Sequence, residues 1–229
     1  MKKVGIIGGL GPVSTLDYYS DIINGVRSKI KEDIYPEVVI DSINMTKFIN
    51  SMEKEDYNDA ANQLICSIEN LRAAKAEFVA IASNTPHIIM DKVKQKASLP
   101  ILSIVEANAQ FAKKNGYKKI MVIGTKFTMK SGLYTKTLNE CGIDAFVPDK
   151  NDIENLHELI FPNLENGIII PEHKKRMIEI SEKYISKYKA DVLLLGCTEI
   201  PLMIKEGDVS VPIINTTKVH IDAIVDRII

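Results

Sequence analysis

The sequence predicts an α/β protein of two similar halves, each a parallel β-sheet flanked by helices. Two observations carry that prediction. Short apolar runs alternate with longer amphipathic ones, the pattern of repeated βα units. Segments of the first half also recur in the second. Lys2–Gly9 (KKVGIIGG) is matched 116 residues later by Lys118–Thr125 (KKIMVIGT), and Ala76–Ser83 (AEFVAIAS) is matched 114 residues later by Ala190–Cys197 (ADVLLLGC). Strand-then-glycine segments recur in many α/β proteins, but two matches at nearly one offset favour duplication into halves of ordinary domain size. The expected boundaries are 1–100 and 101–214, with 215–229 a helix that returns to pack on the first half.

Taken in order, Val4–Ile7 reads as a buried strand ending in Gly8-Gly9-Leu10-Gly11-Pro12, and a helix continues to about Ile30. Val38–Ile43 is apolar enough for a second strand. From Glu53 to about Ala74, Ala60, Ala61, Leu64, Ile65, Ile68 and Leu71 fall at helical spacing. Phe78–Ala82 is a third strand, succeeded by Ser83-Asn84-Thr85-Pro86-His87 and another helix. Ile101–Ile104, Ile120–Ile123 and Val192–Leu195 read as further buried strands. No Gly/Ser-rich or Pro-rich linker separates the halves, so they are closely joined.

Composition narrows the function. Of the 229 residues, 45% are apolar and 26% charged, ordinary for a soluble globular protein. A net charge of −1 gives no reason to expect nucleic acid or an anionic membrane as partner. Cys66, Cys141 and Cys197 are odd in number and widely spaced, which argues against a disulfide framework or structural zinc and fits a reducing cytoplasm. The four histidines show no metal-ligand spacing. The first apolar run is too short for a signal peptide, and no run reaches the ~18 apolar residues needed to cross a bilayer.

In parallel α/β sheets, ligands bind beyond the carboxyl ends of the strands. There the first half offers Gly8–Pro12 and Ser83-Asn84-Thr85, and the second offers Gly124-Thr125 with Thr128, and Cys197-Thr198-Glu199. If the halves are two flavodoxin-like domains facing one cleft, Ser83 and Cys197 occupy matching positions across it. Each is expected to end a strand and begin a helix, where free N–H groups attract an anion and lower a thiol pKa. The glycine loop is not a dinucleotide-binding turn: read from Gly9, the third glycine falls on Ser14, Pro12 intrudes, and Asp41 lies 30 residues past Gly11. It lacks the Gly-Lys-Ser/Thr of a P-loop as well. Close backbone approach to a small carboxylate is the better explanation.

Four segments carry a resemblance: Gly8–Pro12 (GGLGP), Ala82–His87 (ASNTPH), Gly124–Met129 (GTKFTM) and Gly196–Pro201 (GCTEIP). In this order they resemble the aspartate/glutamate racemase family over almost the whole chain. The resemblance implies an enzyme without cofactor or metal, acting on a small amino acid or dicarboxylate, aspartate or glutamate first, and assembling as a homodimer. It also implies a cysteine at each matching position, one thiolate removing the α-proton while the opposite thiol returns one to the other face. Inverting a carbon centre requires that acid and base on opposite faces.

Here one of the two positions is Ser83. Three readings are open: its hydroxyl or a trapped water relays the proton; Cys197 works alone, as in decarboxylases similar to this superfamily; or the chain is an engineered Cys→Ser variant or a non-catalytic homologue that binds a small carboxylate. Free cysteine is most often a small buried hydrophobe, but the place of Cys197 after a strand and before Thr198-Glu199 favours catalysis. Cys66 and Cys141 read as structural. Asn84, Thr85, Thr125 and Thr198 serve as helix caps and as substrate contacts alike, together with Gly9. Glu199 orients a neighbour or assists deprotonation, though the helix dipole alone favours an acid there. His87 reads as a partly exposed structural residue. Lys47 is available for a side-chain carboxylate, whereas Gly167, after which family members often carry a second cation, is succeeded here by Ile168-Ile169-Ile170.

Overall fold

In the computed structural model, which describes residues 1–31 and 33–229, the chain divides into Met1–Ile104 with His220–Ile229, and Val105–Val219. The first unit opens with Val4–Gly8 (β1), buried at all five positions. Helix Pro12–Ile30 (α1) starts at a proline, whose missing N–H would have been unpaired there in any case, and ends at a left-handed Lys31. Next come Val38–Ser42 (β2), Met45–Glu53 (α2), Tyr57–Ala73 (α3), Phe78–Ile81 (β3), a 3-10 turn over Thr85–Ile89, Met90–Lys94 (α4) and Ile101–Leu102 (β4). The strands pair in parallel in the order β2-β1-β3-β4.

Alternation along the strands sorts their side chains into two cores. Ile7, Val79 and Ile81 join Phe48, Leu64 and Ile68 of α2 and α3 on one face. Val4, Ile6, Phe78 and Ala80 meet Tyr18, Ile22 and Val26 of α1, with Ile221, Ile224 and Val225, on the other. A sheet covered on both faces needs strands that are apolar throughout, which is why β1 and β3 stand out in the sequence. The edge strand β2 is only partly covered and leaves Ile40 exposed.

Two expected elements differ. The helical pattern from Glu53 to Ala74 is two helices: Glu53 ends α2, Glu55 takes a left-handed φ of 56°, and Asp56 caps α3 by accepting from Asp59 N at 3.0 Å. The expected strand Ile101–Ile104 stops at Leu102, because Ile104 already opens the helix Ile104–Lys114 (α5).

The second unit continues through Lys119–Gly124 (β5), Lys126–Lys130 (α6), Leu133–Glu140 (α7), Asp144–Phe146 (β6), Lys150–Ile160 (α8), a 3-10 turn over Leu164–Asn166, Pro171–Tyr188 (α9), Val192–Gly196 (β7), Ile200–Met203 (α10), Ile213–Asn215 (β8) and Thr216–Ile228 (α11). Its parallel order, β6-β5-β7-β8, repeats that of the first sheet, so both units are flavodoxin-like in topology. Met121, Ile123, Leu193 and Leu195 pack with Leu156 and Ile160 of α8, Met177 and Tyr184 of α9, and Leu164. From His220 onward α11 belongs to the first unit. His220 fixes it there: Nε2 donates to Leu102 O at 2.9 Å and Nδ1 accepts from Tyr18 Oη at 2.8 Å. Burial holds His220 neutral, its pKa lowered to about 4. Among the described residues, no helix is long and apolar enough to cross a membrane.

Candidate active site

In the first unit the strand ends are set by backbone packing. Gly9 has φ +82°, and a Cβ there would lie 2.4 Å from Ile43 O and 2.6 Å from Ser42 Oγ, so the return of β2 past β1 requires a glycine. Its N–H donates to Thr15 Oγ1 at 3.0 Å. The chain's own approach therefore requires glycine at position 9.

Beyond β3, three contacts hold the backbone around Ser83. Ala82 N donates to Ile7 O at 3.0 Å, and Ser14 Oγ lies 3.1 Å from Ala82 O. His87 Nδ1 lies 3.1 Å from Ser83 O, and Ile104 N donates to His87 Nε2 at 3.4 Å. Because a carbonyl only accepts and an N–H only donates, the ring proton sits on Nδ1 and both nitrogens are engaged. His87 is buried rather than partly exposed, and burial lowers its pKa to about 3. It positions the Ser83 backbone as a neutral ring. Ser83 and Asn84 are buried, Thr85 half-buried. Ser83 leads into a 3-10 turn, not the expected α-helix, and Asn84 makes no side-chain capping bond to it. Lys47 lies exposed on α2, where its charge acts on Asp59, lowering that carboxyl's pKa after the hydrogen bonds from Ser51 and Gln63.

In the second unit β5 and β7 end in register at Gly124 and Gly196. A Cβ on Gly124 would lie 2.9 Å from Gly196 O, and one on Gly196 3.1 Å from both Ile123 O and Thr128 Cγ2. The two strand ends therefore close tightly, and Thr125 caps α6 by accepting from Thr128 N at 3.4 Å. Directly after Gly196, Cys197 Sγ donates to Glu199 Oε2 at 3.1 Å, and Thr198 Oγ1 donates to the same oxygen at 2.7 Å. Cys197 and Glu199 are each 5% exposed. Thr216 Oγ1 donates to Leu195 O at 2.7 Å and bonds the buried Tyr134, whose hydroxyl pKa is raised first by burial and also by Cys197.

The Cys197 thiol departs from expectation. Burial, then the charge of Glu199, pushes its pKa well above the ordinary thiol value, where a helix start is expected to lower it. The reason is local: α10 has four residues and little dipole, while a carboxylate stands within hydrogen-bond distance. Cys197 is therefore a buried thiol held in its protonated form against the Glu199 carboxylate.

A second acid joins this group without any signal in the sequence. Glu165, in the 3-10 turn after α8, is half-buried, and its pKa is raised to about 7 by burial and by Glu199. Its charge in turn raises the Cys197 thiol, and its neighbour Leu164 shares the Cys197 core. No motif flags Glu165; only tertiary packing brings it here. Of the sequence-proposed residues, Cys197, Thr198 and Glu199 form one hydrogen-bonded group. Ser83, Asn84 and Thr85 form a second, pinned by Ser14 and His87. Gly9 and Thr125 end the neighbouring strands, and Lys47 makes no hydrogen bond to either group among the described residues. Nor do the described residues place three His, Cys, Asp or Glu side chains where they could hold a metal ion.

The chain is similar to several known proteins. The structure of an aspartate racemase homologue from Pyrococcus horikoshii superposes with a TM-score of 0.86 at 38% identity, covering 100% of this chain and 99% of that one. The broad specificity amino-acid racemase RacX of Bacillus subtilis is 24% identical over 93% of this chain and 92% of its own length. The glutamate racemase of Aquifex pyrophilus is 33% identical over 150 residues, 62% of this chain, and the match spans about half of that relative (55%). A family model described as Asp/Glu/Hydantoin racemase matches residues 7–224, and the chain belongs to that family.

Proposed function

We propose that the chain is a cofactor-independent amino acid racemase in which Cys197, with Glu199 as its proton acceptor, serves one face of the substrate α-carbon and Ser83 the other. The observation that carries this reading is the buried hydrogen bond from Cys197 Sγ to Glu199 Oε2, 3.1 Å long. In the step it supports, Glu199 takes the thiol proton, the thiolate takes the Cα proton, and the electron pair left on carbon is delocalised into the α-carboxylate. Reprotonation from the opposite face comes from the Ser83 hydroxyl or a water bound there; the alkoxide or hydroxide left behind takes a proton from solvent, and Glu199 returns its proton to solvent, which restores both faces. Thr198 gives its only hydroxyl proton to Glu199, which leaves it lone pairs and suits it to accept from the substrate ammonium. Asn84, Thr85, Gly9 and Thr125 are assigned to the α-carboxylate. The homodimer implied by the family belongs to the proposal and is read by light scattering.

Ser83 favours one specific variation. No base of its own unit is hydrogen-bonded to its hydroxyl among the described residues, so chemistry confined to the Cys197 face, such as decarboxylation of a small dicarboxylic acid, is the second reading.

The test is deuterium incorporation at Cα in D2O, monitored by NMR, starting from both enantiomers of aspartate and glutamate, after which the family is named, and extended to other amino acids. Exchange with inversion that disappears in Cys197→Ala supports the racemase. Exchange that survives Cys197→Ala, or no exchange of any amino acid even in Ser83→Cys, overturns it. Carbon dioxide release from a malonate-type acid would install the second reading.

A further inference from the structure

The carbonyl two residues before Cys197 is held by a buried side-chain network. Pairing between β7 and β8 ends with Leu195 opposite Asn215. The next residue, Thr216, opens α11 and donates from Oγ1 to Leu195 O at 2.7 Å. A threonine hydroxyl has one proton to give. Because Leu195 O takes it, Thr216 Oγ1 accepts from the Tyr134 hydroxyl that it also bonds. The Thr216 backbone is fixed in turn, its carbonyl accepting from Asn108 Nδ2 at 3.1 Å. Tyr134 meets the same strand end a second time: a Cβ on Gly196 would stand 3.5 Å from its Cε2, so the ring edge borders the residue before Cys197. Tyr134 is 1% exposed, Thr216 and Asn108 0%, and all of these residues belong to the second unit. The first unit has a counterpart, since His87 ties Ser83 O to Ile104 N, where α5 starts. In each unit, then, the strand end that carries Ser83 or Cys197 is anchored to the start of the helix after the last strand, by different side chains.

From the anchoring of Thr216 on both sides and the contact of Tyr134 with Gly196, we propose that Thr216 and Tyr134 are positioning residues: they fix Leu195–Gly196 and so hold the Cys197 thiol against Glu199. The proposal rests on Cys197 being the catalytic group. Neither residue touches the substrate; both act through the backbone that carries the sulfur. A displacement of ~1 Å in a reacting group is enough to cost about 10²-fold in rate.

Thr216→Val keeps the volume and removes both bonds of the hydroxyl, whereas Thr216→Ser keeps them. Thr216→Val should lower kcat for Cα exchange by about 10- to 100-fold with KM within about twofold of wild type, and Thr216→Ser should stay within about threefold. Tyr134→Phe retains the ring against Gly196 and should cost less, about threefold. In a Glu199→Gln background Thr216→Val should cost no more than about threefold further, because both changes disable one contact. Full additivity with Glu199→Gln, a loss confined to KM, or an equal loss in Thr216→Ser overturns the proposal. If Thr216→Val does not fold, the pair Tyr134→Phe, Thr216→Val takes its place, since it leaves no buried tyrosine hydroxyl without a partner. If no amino acid exchanges, the racemase reading falls by itself, and positioning is decided by iodoacetamide alkylation of Cys197 in a Cys66→Ser, Cys141→Ser background. Faster alkylation in Thr216→Val that disappears once Glu199 is replaced by Gln supports it. A rate that Thr216→Val leaves unchanged, or raises equally in both backgrounds, refutes it.

Discussion

The strand ends at Ser83 and at Cys197 repeat each other in sequence and topology, yet the residues that hold them differ in kind. At Ser83 the supporting side chain is His87, buried, neutral and engaged at both ring nitrogens by backbone groups. At Cys197 it is Glu199, a carboxylate that accepts directly from Cys197 Sγ. One end fixes a backbone beside a hydroxyl; the other holds a thiol against a carboxylate. A duplicated fold thus supplies equivalent positions, while the residue two to four places further on sets the charge each position faces.

Removing the base should break this contrast most visibly. Glu199→Gln should lower turnover by roughly 10²–10⁴-fold, the range for a positioned general base. The same change removes the charge that raises the thiol, so alkylation of Cys197 by iodoacetamide should become faster while exchange becomes slower. Because Cys66 is exposed and Cys141 partly so, the labelling is read in a Cys66→Ser, Cys141→Ser background. A parallel fall in both rates would mean that Glu199 only maintains the fold.

The histidines predict a stability effect. Both are neutral when buried, with pKa values lowered from 6.5 to about 3 for His87 and about 4 for His220. The unfolded chain therefore binds more protons than the folded one below pH 6.5, and stability falls with acidification until the folded values are reached. Between pH 6.5 and 5 the loss is about 1.6 kcal/mol per histidine, the slope rising toward ~1.4 kcal/mol for each pH unit as the unfolded ring fills with protons. Urea unfolding at the two pH values measures it, and His220→Gln should flatten about half of the slope.

Ser83→Cys should have the smallest effect, and in the opposite direction. A thiol, ionising near pH ~8.5, brings to the first unit what the hydroxyl lacks. Exchange of the enantiomer whose proton faces Ser83 should rise by about tenfold, equal to ~1.4 kcal/mol of barrier.

Much of this organisation is legible in the sequence. β1, β3 and β7 are apolar along their whole length, and β5 after its first residue Lys119, because they are covered on both faces, and the repeat marks Ser83 and Cys197 as equivalent. The three-residue edge strands β6 and β8 leave no such run. The break between α2 and α3 is hidden by apolar spacing that continues through it, overridden by the Asp56 cap. The direction of the thiol shift is misread from sequence because strand-then-helix implies a dipole, whereas only a four-residue helix forms and a carboxylate faces the sulfur. The role of His87 depends on a backbone amide 17 residues away, and that of Glu165 on the packing of Leu164 beside β7; neither distance is written in local pattern.

The unequal strand ends are tested most directly by measuring Cα–H exchange separately for the two enantiomers of one accepted amino acid, in wild type and in Ser83→Cys. Unequal exchange is expected in wild type, with the enantiomer facing Cys197 faster, and near-equality once Ser83 is cysteine. Equal exchange of both enantiomers in wild type would contradict this, since Ser83 would then be as effective a base as Cys197 paired with Glu199.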